Sequence, residues 1–122
     1  MFQGQRLASN DENPYFDNLL REECARRHPC TILLEICHKL KLSEPVYEFT
    51  PQLSENGESF VCKCNLKDLK CFAVGTARNK KGAKSDAATQ TIELIAYIPD
   101  VQSIIMQLIM ASNIADGLSF NP

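Results

Sequence analysis

The sequence predicts one α+β domain, read in order as helix, three antiparallel strands, helix (α-β-β-β-α), with an extra helix at each end. Three observations carry this. Apolar residues recur at three- and four-residue spacing up to Leu42 and again from Ala83, but at two-residue spacing between. Two turn signals, Asn56-Gly57 and Lys67-Asp68, cut the alternating stretch into three. Small residues, Ala83, Ala87 and Ala88, share a face of the later helix, where they suit close contact with a sheet. The architecture is then helices layered on one face of an antiparallel sheet.

Each element has its own local signal. Asn13-Pro14 supplies an N-cap and a first helical residue, and Phe16, Leu19, Leu20 and Cys24 follow at helical spacing to about Arg27. Pro29 interrupts, and a second helix runs from about Cys30 to Leu42 with Ile32, Leu33, Ile36, Cys37 and Leu40 on one wide face. An extended stretch begins at Pro45-Val46-Tyr47-Glu48-Phe49. After the turn, Phe60, Cys62, Cys64 and Leu66 alternate with Val61, Lys63 and Asn65, the pattern of a half-buried strand. A third strand spans Leu69 to Ala77. Helical period returns at Lys80, and Pro99-Asp100 starts a last helix with a stripe of Val101, Ile104, Ile105, Leu108 and Ile109. Gly117 is a stop signal, and Ser119 to Pro122 trail off.

The resulting division is a disordered or expression-derived leader over 1–12, a helical extension over 13–28, the α-β-β-β-α body over 29–97, and a C-terminal helix and tail over 98–122. Phe2-Gln3-Gly4 looks like the remnant of a protease-cleavage site and is left out of the fold reading. The 122 residues suit one domain rather than two, and 44 % hydrophobic content supports a packed core.

Net charge is −2, which is unusual for a polyanion binder, but its distribution matters more. Residues 29–97 carry nine basic and eight acidic groups, whereas residues 98–122 carry two acids and no base. Any polyanion site is therefore a local patch in the middle segment. There is no 18-residue apolar run to span a membrane and no apolar signal core near the start. Six cysteines without a secretory signal point to a reducing, intracellular setting, cytoplasmic or nuclear, with thiols acting as small hydrophobes.

The sharpest chemical signal is Asn79-Lys80-Lys81-Gly82-Ala83-Lys84-Ser85-Asp86-Ala87-Ala88. Lys80 and Lys84 share a face by i, i+4 spacing, at a helix start that already carries partial positive charge and free N–H groups. Lysines there cost stability unless an anion is bound, so Lys80, Lys81 and Lys84 read as a phosphate clamp. A bare K-K-x-x-K is more often the mark of a solvated charged face, and context decides between the two.

That context is a resemblance to the double-stranded-RNA-binding domain family over about Pro29 to Tyr97. It is carried by Pro29-x-x-x-Leu33-x-Glu35, Pro45-x-Tyr47, Phe60-x-Cys62-x-Cys64, Val74-Gly75 and Lys80-Lys81-x-Ala83-Lys84-x-x-Ala87-Ala88. The resemblance implies the α-β-β-β-α fold and three contacts with duplex RNA. Thr31 and Glu35 of the first family helix enter one minor groove, the loop holding Asn56 enters the next, and the lysines with Asn79 grip phosphates between. Such binding reads A-form shape and 2′-hydroxyls rather than bases. Three departures imply weaker binding than the full pattern gives. Leu34 replaces the family's glutamine, the loop Ser54 to Ser59 carries Glu55 and Glu58 instead of Gly-Pro-x-His, and Ala77 stands where a second glycine is common. The resemblance also implies a source among RNA-silencing or RNA-processing proteins, such as the accessory partners of Dicer-type nucleases.

Other chemistries find little footing. No G-x-S-x-G, P-loop, H-E-x-x-H or zinc-deaminase pattern occurs, so no catalysis, cofactor or small-molecule substrate is expected. Cys62-x-Cys64 puts both thiols on one face of a strand, and Cys24, His28, Cys30 and His38 include no C-x-x-C pair, so no metal is expected. Tyr47 and Phe60 read as core, and Gly75 as a close-packing or bulge position. The last helix is open to two readings. Its stripe packs on the domain itself, or it forms a surface for a protein partner or a homodimer. The second reading supports the alternative function, a family member that has exchanged RNA binding for protein interaction.

Overall fold

A computed structural model describes residues 13–115. The leader expected over 1–12, the Gly117 stop and the tail after it lie outside those residues. The element order is α1 Pro14–Arg26, α2 Pro29–Lys39, β1 Val46–Ser54, β2 Gly57–Leu66, β3 Cys71–Ala77, α3 Lys80–Ile95 and α4 Pro99–Ala115. The three strands form one antiparallel sheet in the order β1-β2-β3. The helix, three strands, helix order with an added helix at each end is the α+β fold the sequence implies.

The helix ends follow local chemistry. Asn13 caps α1, its side-chain oxygen accepting from the N–H groups of Tyr15 (3.0 Å) and Phe16 (3.2 Å). His28 caps α2 through Nδ1, which accepts from Cys30 N–H at 3.3 Å, so Pro29 begins this helix as well as breaking the previous one. The second helix was expected to reach Leu42 but stops at Lys39. Lys41 turns left-handed at φ 58°, and the amides of Lys41 and Leu42 return to the carbonyls of His38 (3.1 Å) and Cys37 (2.8 Å). That paired closure satisfies orphan carbonyls and sends Leu42 back against the core. The third strand starts at Cys71 rather than Leu69, because Lys70 also adopts a left-handed conformation, φ 51°, to close the turn.

The sheet packs one face under α2 and α3. Its inner rows run Tyr47–Cys64–Ala73 and Phe49–Cys62–Gly75 across the three strands. Small side chains on β2 and β3 let α3 come close. Ala83, Ala87 and Ala88 are fully buried there, as are Cys62 and Cys64. Ile32, Leu33 and Ile36 from α2 and Ile92 and Ile95 from α3 fill the space between the helices. Tyr47 and Phe60 are half-buried against this core. The outer face of the sheet stays open, with the Lys63 ammonium 4.5 Å from the centre of the Phe72 ring.

The two extra helices close the other side. Phe16 and Leu20 of α1 are buried, and the Phe16 ring meets Tyr97 edge-on at 5.3 Å. The Tyr97 hydroxyl accepts from Asn13 N–H (2.9 Å) and donates to Asp17 (2.7 Å), fixing the start of α1 to the turn between α3 and α4. Val101, Ile104, Ile105, Leu108 and Ile109 of α4 are between 0 and 7 % exposed. These five were also read as a partner or dimer surface. In the fold they are covered within the chain, because α1 and α2 lie against α4 and offer the nearest apolar faces. Among the described residues, no helix is long and apolar enough to cross a membrane.

Candidate nucleic-acid interface

Asn79 adopts an extended conformation and accepts a hydrogen bond from Gly82 N–H at 2.7 Å, which starts α3 one residue later. The expected contact residue Asn79 is thus a cap first, and only its amide nitrogen is left for a phosphate. The cap fixes where Lys80, Lys81 and Lys84 leave the helix. Lys80 and Lys81 are exposed and Lys84 is half-buried. None of the three makes an ion pair among the described residues. The nearest carboxylate along the helix, Asp86, instead accepts from Thr76 N–H of β3 at 2.9 Å. The helix start therefore concentrates three uncompensated ammonium groups where backbone N–H groups already favour an anion.

The lysines are not loose. The Lys84 ammonium lies 4.8 Å from the centre of the Tyr47 ring, and that of Lys80 lies 5.9 Å from both Phe49 and Phe60. Aromatic faces from β1 and β2 thus hold two of the three cations by their ring quadrupoles. The tyrosine hydroxyl is buried without a hydrogen bond of normal geometry, its neighbours being the thiols of Cys30 and Cys64. Burial, first of all, raises Tyr47 well above the usual phenol range.

Helix α2 comes alongside. Cys30, Thr31, Leu34, Glu44, Pro45, Tyr47 and Lys84 line one open depression, so the structure brings Thr31 and Lys84 together across two helices. Cys30 contributes a weak contact, its thiol donating to the carbonyl of Lys84 at 3.8 Å. Leu34, which stands in place of the family's glutamine, makes this wall apolar. Glu35, one turn after Thr31, accepts a hydrogen bond from Arg27. No signal within α2 announces that partner, because Arg27 belongs to the end of α1.

Asn56 lies elsewhere, at the tip of the β1–β2 hairpin. Ser54 pairs with Gly57, so Glu55-Asn56 is a two-residue turn, and Gly57 takes φ 104° to close it. The loop expected over Ser54 to Ser59 is therefore mostly strand. Residues 51–58 are all exposed, and the tip presents Glu55, Glu58 and an 84 % exposed Leu53. The hairpin is long because its register continues past the point where the core ends.

The cysteines play no part at this surface beyond Cys30. All six are free, and Cys37, Cys62, Cys64 and Cys71 are buried. Burial pushes the Cys37 and Cys62 thiols up to about 11. Among the described residues, no three His, Cys, Asp or Glu side chains come together in a group that could hold a metal ion.

Two curated proteins resemble the chain. It is 32 % identical over 71 residues to ribonuclease 3 of Shewanella woodyi, covering 57 % of this chain and 32 % of that protein. It is 31 % identical over 75 residues to ribonuclease 3 of Shewanella piezotolerans, covering 61 % and 33 %. The chain thus spans about a third of the length of these relatives. Residues 29–95, from the first residue of α2 to the last of α3, match the double-stranded RNA binding motif, and the chain belongs to that family.

Proposed function

We propose that this chain binds double-stranded RNA by shape, as a non-catalytic module of an RNA-processing or RNA-silencing protein. The observation that carries the reading is the cluster of Lys80, Lys81 and Lys84 at the start of α3, unpaired among the described residues and set beside Thr31 of α2. In this reading the lysines grip phosphates and Thr31 and Glu35 meet the shallow minor groove, where A-form RNA displays its 2′-hydroxyls. Asn79 adds a weaker phosphate contact. Asn56 reaches the next minor groove from the hairpin tip, where Glu55 and Glu58 repel phosphate and reduce affinity. The likeness to ribonuclease 3 favours a processing context, and the body over 29–97 works with both flanking helices attached.

A gel-shift assay tests this with an RNA duplex of about 20 base pairs, beside single-stranded RNA and duplex DNA. Preference for the RNA duplex supports the reading. Equal binding to all three, or none, removes it.

A further inference from the structure

One guanidinium joins α1 to α2. Arg27 is the C-cap of α1, its backbone N–H donating to the Glu23 carbonyl at 2.8 Å. Its side chain reaches in two directions. Nη1 lies 3.5 Å from Glu23 Oε2, and Nη2 donates to Glu35 Oε1. Glu23 is 3 % exposed, and its Oε2 has no hydrogen bond. A carboxylate taken out of water at that depth needs a cation, and Arg27 supplies it. The same guanidinium then fixes one oxygen of Glu35 and leaves Oε2 as an acceptor.

Glu35 stands one turn from Thr31 on α2, and Thr31 shares its depression with Lys84. A bare carboxylate on a phosphate-binding face would repel the backbone it approaches. Arg27, shared with Glu23, offsets part of that charge and holds the free oxygen in one orientation, so little ordering entropy remains to be lost on binding.

We propose that Arg27 is a positioning residue for duplex-RNA binding, which orients Glu35 and partly offsets its charge so that its free oxygen accepts a ribose 2′-hydroxyl. The N-terminal helix thereby becomes part of the RNA-reading device instead of an inert extension. The proposal rests on the duplex-RNA reading above.

The simplest variant, Arg27→Ala, strands the buried Glu23 and can unfold the protein. The working variant is therefore E23Q/R27A, compared with E23Q alone and checked for an unchanged melting temperature. Affinity for a 20-base-pair RNA duplex is measured by fluorescence anisotropy in this pair and again in a Glu35→Ala background. The expected loss from removing Arg27 is about fivefold when Glu35 is present and under about twofold when it is absent, the mark of a coupled pair. Equal losses in both backgrounds would mean that Arg27 touches the RNA itself, and no loss in either would mean that Glu35 needs no positioning. Either result overturns the proposal, as does wild-type affinity in Glu35→Ala alone. Failure of the underlying reading is a different result, since wild type then shows no preference for duplex RNA.

Discussion

A Cβ built on Gly75 of β3 would stand 2.2 Å from the backbone nitrogen of Ala87 in α3. Backbone meets backbone there, so no side chain can move aside. Gly75→Ala should cost about 3 kcal/mol or more, at the upper end for overpacked cores. Chemical denaturation reads this directly. A variant of near-wild-type stability would mean that α3 sits further from the sheet.

The lysine cluster should contribute counterion release. Each of Lys80→Ala, Lys81→Ala and Lys84→Ala should lower the slope of log affinity against log salt by about 0.9, and the triple variant should lose binding. Melting temperature should hold or rise, because cations at a helix start oppose its dipole. Unchanged binding in the triple variant would move the interface elsewhere.

Tyr47 separates packing from cation placement. Tyr47→Phe keeps the ring beneath Lys84 and removes a hydroxyl that has no good partner, so stability should stay within about 1 kcal/mol of wild type or improve. Tyr47→Leu removes the ring and should weaken RNA binding by about two- to fivefold, the scale of one exposed cation–π contact. Equal affinities for the two variants would show that the ring does not place the lysine.

Buried thiols give the protein an alkaline limit. Burial pushes Cys37 and Cys62 up to about 11 in the fold, from the ordinary thiol value of 9.0. A raised value means that the folded state holds the proton more tightly than the unfolded state. Stability from these groups is complete below pH 9 and falls as pH climbs from 9 to 11, by up to about 1.4 kcal/mol per pH unit for each thiol. Denaturant midpoints taken across that range should decline. Iodoacetamide at pH 8 should spare Cys37, Cys62, Cys64 and Cys71 until the protein is unfolded.

The stripe on α4 is part of the core, so Ile105→Glu with Leu108→Glu should unfold the protein. Each buried aliphatic side chain is worth about 1.5–3 kcal/mol, and each new carboxylate would be desolvated without a partner. Circular dichroism and size exclusion distinguish the outcomes. A folded double variant would show that α4 is dispensable to this core.

By itself the sequence determined the element order, the helix starts at Asn13-Pro14 and Asn79, the strand alternation that buries Cys62 and Cys64, and the lysine triad. These are local matters: caps, turns and periodicity act within a few residues. It misplaced the end of α2, the start of β3 and the hairpin loop. Left-handed Lys41 and Lys70 carry no glycine signal, and strand pairing ran on to Ser54 and Gly57. Only the tertiary structure decided what the α4 stripe meets, since an apolar stripe specifies burial but not its cover. It likewise decided which rings hold Lys80 and Lys84, and that Glu35 answers to Arg27. Each such pair joins different elements, and no spacing along the chain encodes a contact that packing alone creates.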